Sequence, residues 1–231
     1  MKWYLDIETR VTRNEFPYAN KALEEISLIQ IVRESDIVVF GTRDLIEIKS
    51  FDMPLIYNKC SNEVEMLNKF LDFLNTDNPE VIYAWNGDRF DFPYIFNRLK
   101  NLGIKTDRLK SDNRRYIDLM LLYKKHGDKL KSYSLDSVSE HELNDTKVKH
   151  DEFEDFDSFY TGKNYKICGK YDDNVREEIR QLKIIESESN LTEEQAKRLD
   201  NLIFFNYVYY GVKDSLLMKR IDNSKNLSSY I

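Results

Sequence analysis

Apolar and acidic side chains alternate in Tyr4-Leu5-Asp6-Ile7-Glu8-Thr9, only a few residues from the start of the chain. Residues 2–6 read as a first β-strand, and its end carries the two carboxylates. Side chains alternate faces along a strand, so Asp6 and Glu8 leave on one face while Leu5 and Ile7 point into a core. Like charges so placed repel, and a bound cation relieves them. All-oxygen donors at this spacing suit Mg²⁺ or Mn²⁺ rather than zinc. Strand ends also carry acids simply because they meet water, so the reading depends on what else the chain supplies.

The 231 residues suffice for one large α/β domain with a full core. A hydrophobic content of 41% with 13% aromatics excludes disorder, and 7 Gly and 4 Pro leave little material for linkers. No apolar run approaches a membrane span, and the N-terminus lacks a signal-peptide pattern. Cys60 and Cys168 have no metal-ligand or redox spacing. They read as reduced thiols of an intracellular, cytoplasmic protein. The net charge of −6 argues against a nucleic-acid partner, but its distribution argues for one. Between Arg98 and Lys131 eleven Lys and Arg face four Asp, a local net of +7. A basic sector beside a carboxylate cluster suits an enzyme that acts on a polyanion with bound metal.

After the first strand a polar loop runs to about Leu23 and contains the apolar pair Phe16-Pro17. Ile26 to Val32 and Ile37 to Phe40 are β-rich, separated by the hairpin turn expected at Arg33-Glu34-Ser35-Asp36, and with the first strand suggest a three-stranded antiparallel unit. A short apolar piece at 54–57 precedes a helix from Ser61, expected as its N-cap. Val81–Trp85 is a strand, followed by a helix from about Phe92 to Leu102. Tyr116–Leu119 suggests a last short strand running into a helix at 120–125, with another helix near 134–141. Residues 144–172 read as a long loop or insertion in a single domain spanning 1–231. Two helices close the chain, about 173–187 and 193–222, the second opening on the capping-box pattern Thr192-Glu193-Glu194-Gln195. This order predicts an α/β fold, a mixed sheet flanked by helices.

Two further acidic sites stand out. Asn86-Gly87-Asp88-Arg89-Phe90-Asp91 lies between a strand and a helix, where Asp91 reads either as an N-cap or as a ligand at a strand's end. In Tyr210-Gly211-Val212-Lys213-Asp214 the Tyr and the Asp share one helix face with Ile203, Asn206 and Leu217. An Asp on an apolar face is costly unless it is paired or bound to metal.

Three motifs in the order Asp-x-Glu, Asn-x3-Phe-Asp and Tyr-x3-Asp resemble those of the DEDD superfamily of 3′–5′ exonucleases, in the variety with Tyr in the third motif. More narrowly, the chain resembles the proofreading exonuclease domain of phage-type family B DNA polymerases. Trp85-Asn86 through Phe90-Asp91, Pro93-Tyr94-Ile95 and Asn97-Arg98 are similar to that family's second motif and helix. Asp118 through Lys125 and Ser132-Tyr133-Ser134-Leu135-Asp136-Ser137-Val138 are similar to its next segment. The resemblance covers nearly the whole chain and is weakest over 144–190. Nothing in it resembles a polymerase palm or the family's N-terminal domain, so an exonuclease domain standing alone, or cut to one, is expected.

The resemblance implies a ribonuclease-H-like (DnaQ-like) fold and two divalent ions, Mg²⁺ or Mn²⁺. Asp6, Glu8 and Asp214 would hold one ion; Asp6 and Asp91 would hold the other. Tyr210 would orient the attacking water or the phosphate, and it stays protonated, because an ordinary phenol titrates near ~10. Asn86 and Phe90 would contact the terminal nucleotide, Thr9 the nucleic acid, and Phe16 would stack on a base. Lys124, Lys125, Arg114 and Arg115 are phosphate candidates. His126, His141 and His150 read as surface or structural residues. The expected partners are single-stranded DNA or DNA 3′ ends and a separately encoded polymerase, with no membrane. An RNA-trimming nuclease of the same superfamily and a non-catalytic polymerase- or ssDNA-binding domain are the alternatives.

Overall fold

A computed structural model describes residues 1–11 and 17–231. Its centre is a six-stranded mixed sheet of order β4-β3-β2-β1-β5-β6, formed by β1 (Lys2–Thr9), β2 (Ile26–Val32), β3 (Ile37–Gly41), β4 (Leu55–Lys59), β5 (Val81–Ala84) and β6 (Arg115–Asp118). β1, β2 and β3 pair antiparallel as expected, whereas β3–β4, β1–β5 and β5–β6 are parallel. The apolar piece at 54–57 is therefore a strand in its own right. β1 is also longer than expected, reaching Thr9, so Glu8 as well as Asp6 lies within it.

Alternation along β1 divides the core. Trp3, Leu5 and Ile7 join Ile29 and Ile31 beneath α1 (Glu63–Asp77) and α2 (Asp91–Asn101). Tyr4 turns the other way, with Leu28, Val32 and Tyr83, toward α7 (Glu193–Lys225), which packs on β1 and β2. Asp6 and Glu8 share the parity of Tyr4 and so face α7. The remaining helices are α3 (Leu119–His126), α4 (Leu135–Leu143), α5 (Phe156–Thr161) and α6 (Asn174–Glu188).

Local chemistry sets the helix ends. Asn62, not Ser61, caps α1, its side chain accepting the Glu65 N–H; Ser61 instead meets the Glu65 carboxylate. Thr192 and Gln195 form the capping box that starts α7. The polar stretch 144–172 is not a bare loop: it contains α5, and Phe153 bridges to Tyr165. The buried Glu152 pairs with Arg176 at 2.7 Å, and Arg10 at the end of β1 pairs with Asp157 of α5 at 2.8 Å. These two ion pairs fasten the segment onto the α7 side of the sheet. Among the described residues no helix is long and apolar enough to cross a membrane.

Candidate active site

β1 pairs with β5 only over Lys2–Tyr4. Beyond that point its β5 side is open, because β5 ends at Ala84 and the chain turns away through residues 85–90. Asn86 takes the left-handed conformation (φ 62°) that Asn tolerates better than most residues. The first turn of α2 comes back beside β1, and Asp91 Oδ1 accepts the otherwise unpaired Ile7 N–H at 3.3 Å. Asp91 is thus not the N-cap of its helix. Phe90 holds that place with no side-chain capping bond, and the Asp91 carboxylate faces β1 instead.

A register shift between Glu8 and Thr9 leaves Ser27 as the extra residue on β2. The Ser27 hydroxyl donates to the Glu8 carbonyl at 3.1 Å and shares a 2.8 Å hydrogen bond with Tyr207 of α7. Bulges re-aim side chains next to functional sites, and this one ties the end of β1 to α7. On α7, Tyr210 and Asp214 stand one turn apart on the buried face, 9% and 3% exposed. The Tyr210 ring is set by Phe156 and Phe159 of α5 and by His150, with centroids 5.5, 5.8 and 5.3 Å away.

These elements enclose one cleft of about 560 Å³, lined by Asp6, Glu8, Asp91, Asp214 and Tyr210. Asn86, Phe90, Trp85 and Arg89 line it from the loop between β5 and α2. The segment before α5 adds Lys147, whose ammonium lies 2.5 Å from Asp214 Oδ2 and 4.9 Å from the Tyr210 ring centroid. No periodicity or motif marks Lys147 in the sequence; only the packing of 144–172 against α7 brings it here. Arg89 likewise carries no sequence signal. It is exposed and makes no ion pair among the described residues.

The electrostatics are those of too much negative charge out of water. Burial, then Glu8, Asp91 and Asp214, push the Asp6 carboxyl well above the usual range. Burial and Asp214 do the same to Glu8. Asp91 is pushed up to about 7 and Asp214 to about 6, in both cases mainly by burial. Burial opposes the charge on Lys147, but Asp214 and Tyr210 beside it hold the ammonium above its usual range. Burial, then Glu8 and Asp214, raise Tyr210, so its hydroxyl keeps its proton.

The residues fit a divalent cation by donor chemistry: four carboxylates, all oxygen donors, and a buried Asp214 Oδ1 with no hydrogen-bond partner. No three of the cleft carboxylates, however, bring one oxygen each within 4.8 Å of one another; among the described residues only Asp128, His141 and Glu142 do. That other trio is surface-exposed to half-buried and already neutralised, with Lys225 3.0 Å from both Asp128 and Glu142.

A stability prediction follows from the raised carboxyls. A carboxyl whose folded pKa lies above its unfolded value favours folding at low pH, and that contribution is lost as pH rises through the folded pKa. For Asp91 and Asp214 the loss runs from about pH 4 to about pH 7. In chelator, the protein should therefore melt higher at pH 5.5 than at pH 8, by ~3–8 °C, since 1 kcal/mol is worth roughly 2–4 °C at this size. Mn²⁺ at pH 8 should close the gap. Calorimetry at the two pH values checks this; a melting temperature that climbs with pH in chelator would contradict it.

Not every expected residue reaches the cleft. Thr9 is buried at the bulge, and Lys124 and Lys125 stand exposed on α3; none of the three lines the cleft. Arg114 is 7% exposed, and its guanidinium donates to the Leu109 and Leu74 carbonyls. Arg98 forms a bidentate pair with Glu63 and holds the loop carbonyl of Leu23. Both belong to the framework, so the basic sector is smaller than its charge count suggests. Phe16 lies outside the described residues. Asp118 is buried but caps α3 and accepts the Asp88 N–H. His126 stacks on Tyr230 and His141 bonds to Asp128, as expected of structural or surface histidines.

A family profile described as DNA polymerase family B, exonuclease domain, matches residues 3–115, which span β1 to the start of β6 and include Asp6, Glu8, Asn86, Phe90 and Asp91. Over these residues the chain is similar to the exonuclease domain of family B DNA polymerases. Among its curated relatives, the DNA-directed DNA polymerase of Escherichia phage RB69 is 34% identical over 121 residues, covering 42% of this chain and 13% of the relative. DNA polymerase 1 of Pyrococcus abyssi is 31% identical over 141 residues, covering 53% and 18%. The DNA polymerase of Choristoneura fumiferana nuclear polyhedrosis virus is 30% identical over 131 residues, covering 46% and 13%. The chain thus spans less than a fifth of the length of these relatives. The profile stops before the third acidic motif. It is the fold that brings Tyr210 and Asp214 to the carboxylates of β1 and α2.

Proposed function

We propose that this chain is a metal-dependent 3′–5′ DNA exonuclease that removes nucleoside 5′-monophosphates from single-stranded or frayed 3′ ends and proofreads for a separately encoded polymerase. The observation that carries the reading is the convergence of four carboxylates and Tyr210 from β1, α2 and α7 on one cleft. That the relatives are named DNA polymerases favours DNA as substrate.

Asp6, Glu8 and Asp214 would hold one divalent ion, and Asp6 with Asp91 the second. When bound, such a pair activates a water and stabilises the leaving oxygen of an in-line displacement. The chain's own groups do the rest. Tyr210, still protonated, can donate a hydrogen bond to a water or a phosphate oxygen but cannot take up a proton as a base at neutral pH. Lys147 places a fixed positive charge beside Asp214 and Tyr210, where charge on a phosphate would be balanced. Phe90 and Trp85 offer apolar surface for a base, and the Asn86 amide offers polar contacts. Arg89 presents a guanidinium with no acid partner among the described residues, available to a phosphate 5′ of the scissile bond.

If Tyr210 orients rather than transfers a proton, Tyr210→Phe should lower kcat by ~10–100-fold, the worth of a single transition-state hydrogen bond. Asp6→Ala should cost far more. Initial rates on a 5′-labelled single strand in Mn²⁺ measure both variants. Equal and complete loss in the two would show that Tyr210 does chemistry beyond orientation, and undiminished activity in Asp6→Ala would refute the site.

A further inference from the structure

Gln30 is a fully buried amide in the otherwise largely apolar strand Ile26-Ser27-Leu28-Ile29-Gln30-Ile31-Val32. It lies directly opposite Asp6 in the antiparallel register, so both side chains leave the sheet on the same face, toward α7. Its Nε2 donates to Asp6 Oδ2 at 3.2 Å and to Glu8 Oε1 at 3.3 Å. Its Oε1 is buried with no partner. An unsatisfied buried oxygen is costly, and an aliphatic residue would avoid the cost. Packing therefore does not account for an amide here, whereas its two donated bonds do.

A second observation points the same way from the facing helix. Gly211 sits in the interior of α7, where glycine is unfavourable relative to alanine, and its φ is not positive, so backbone conformation does not require it. Space does. A Cβ at this position would come 1.8 Å from Gln30 Nε2, 2.8 Å from Gln30 Cδ and 3.1 Å from Glu8 Oε1. Any larger residue at position 211 displaces the amide from the two carboxylates.

We propose that Gln30 is a positioning residue that bridges Asp6 and Glu8 through one amide nitrogen, fixing their side chains so that their remaining oxygens face a divalent cation, and that Gly211 makes the room it needs. A neutral donor suits the task, because it orients both carboxylates without competing for the cation's charge. The inference rests on the metal-dependent reading of the cleft.

The test is titration of Mn²⁺ into the full chain by calorimetry, with melting temperatures measured in chelator. Gln30→Ala, and Gln30→Leu, which keeps most of the side-chain volume, should weaken Mn²⁺ binding by ~10–100-fold, as loss of outer-sphere partners does. The melting temperature should hold or rise in at least the Leu variant, since the unsatisfied oxygen is gone. Gly211→Ala should weaken binding similarly in the wild-type background and much less in the Gln30→Ala background, because the two changes act through one contact. Wild-type Mn²⁺ affinity in both Gln30 variants would overturn the inference while leaving the proposed function standing. So would a loss of melting temperature in both variants with affinity unchanged in the folded fraction. No Mn²⁺ binding by the wild-type chain would overturn the proposed function and this inference with it.

Discussion

Asp214→Asn should lower kcat on a single-stranded oligonucleotide by ~10³-fold or more, equivalent to about 4 kcal/mol of lost transition-state stabilisation, while the protein stays folded. The carboxylate is buried on α7, its Oδ1 has no partner, and it adds its charge to that of Asp6 and Glu8. Replacing it with an amide of the same shape removes a metal ligand and also one of the repelling charges. Lys147 is not stranded, because Asp6 and Glu8 also feel its charge. In chelator at pH 8 the variant should therefore melt at or above the wild-type temperature even though it is catalytically inert. Activity lost and stability gained together are what four buried carboxylates offset by a single lysine require. Loss of both would mark Asp214 as a framework residue held by Lys147.

The second large effect concerns the DNA end. The carboxylates share the cleft with Phe90, Asn86 and Arg89, and Asp91 and Asp214 are almost wholly buried whereas Arg89 is exposed. A terminal nucleotide reaches them only after leaving its stack and its partner, which costs a few kcal/mol in a matched duplex. A mismatched or unpaired end has already lost most of that cost, so it should be degraded ~10–100-fold faster than a matched end. The preference should sit in the unpairing step: a free single strand should be cut fastest and should show no dependence on its terminal base beyond stacking. Rates that are equal on matched and mismatched termini would mean that the enzyme melts ends actively or does not need them melted.

Much of this site is legible in the residues themselves. Asp6 and Glu8 are two apart in a strand, and the period of two places them on one face whatever the rest of the chain does. Tyr210 and Asp214 are four apart in a long helix, and the helical period does the same for them. Asp91 shows where local reasoning stops. An Asp that opens a helix is most simply an N-cap, and only the early end of β5, which leaves the Ile7 N–H open, turns it toward β1 instead. Lys147 had no signal, since a single Lys in a polar, acidic segment has no period, and its place depends on α5 packing against α7. Counting charges between residues 98 and 131 misled for the converse reason. Arg98 is bound to Glu63, 35 positions earlier, and Arg114 to backbone carbonyls around α1, partners that no local window contains. The strand at 55–59 was legible only as an apolar fragment, because four or five residues carry too little pattern to declare a parallel pairing with β3.

The claim that these converging carboxylates form a metal-dependent 3′–5′ exonuclease centre is tested most directly by a time course on a 5′-labelled single-stranded oligonucleotide, run in Mn²⁺ and in chelator with the wild-type chain and Asp214→Asn. The account predicts a ladder that shortens from the 3′ end one nucleotide at a time, releasing nucleoside 5′-monophosphates, in the wild type with Mn²⁺ alone. A ladder that persists in chelator or in Asp214→Asn, internal cleavage products, or loss of the 5′ label as the first event would contradict it.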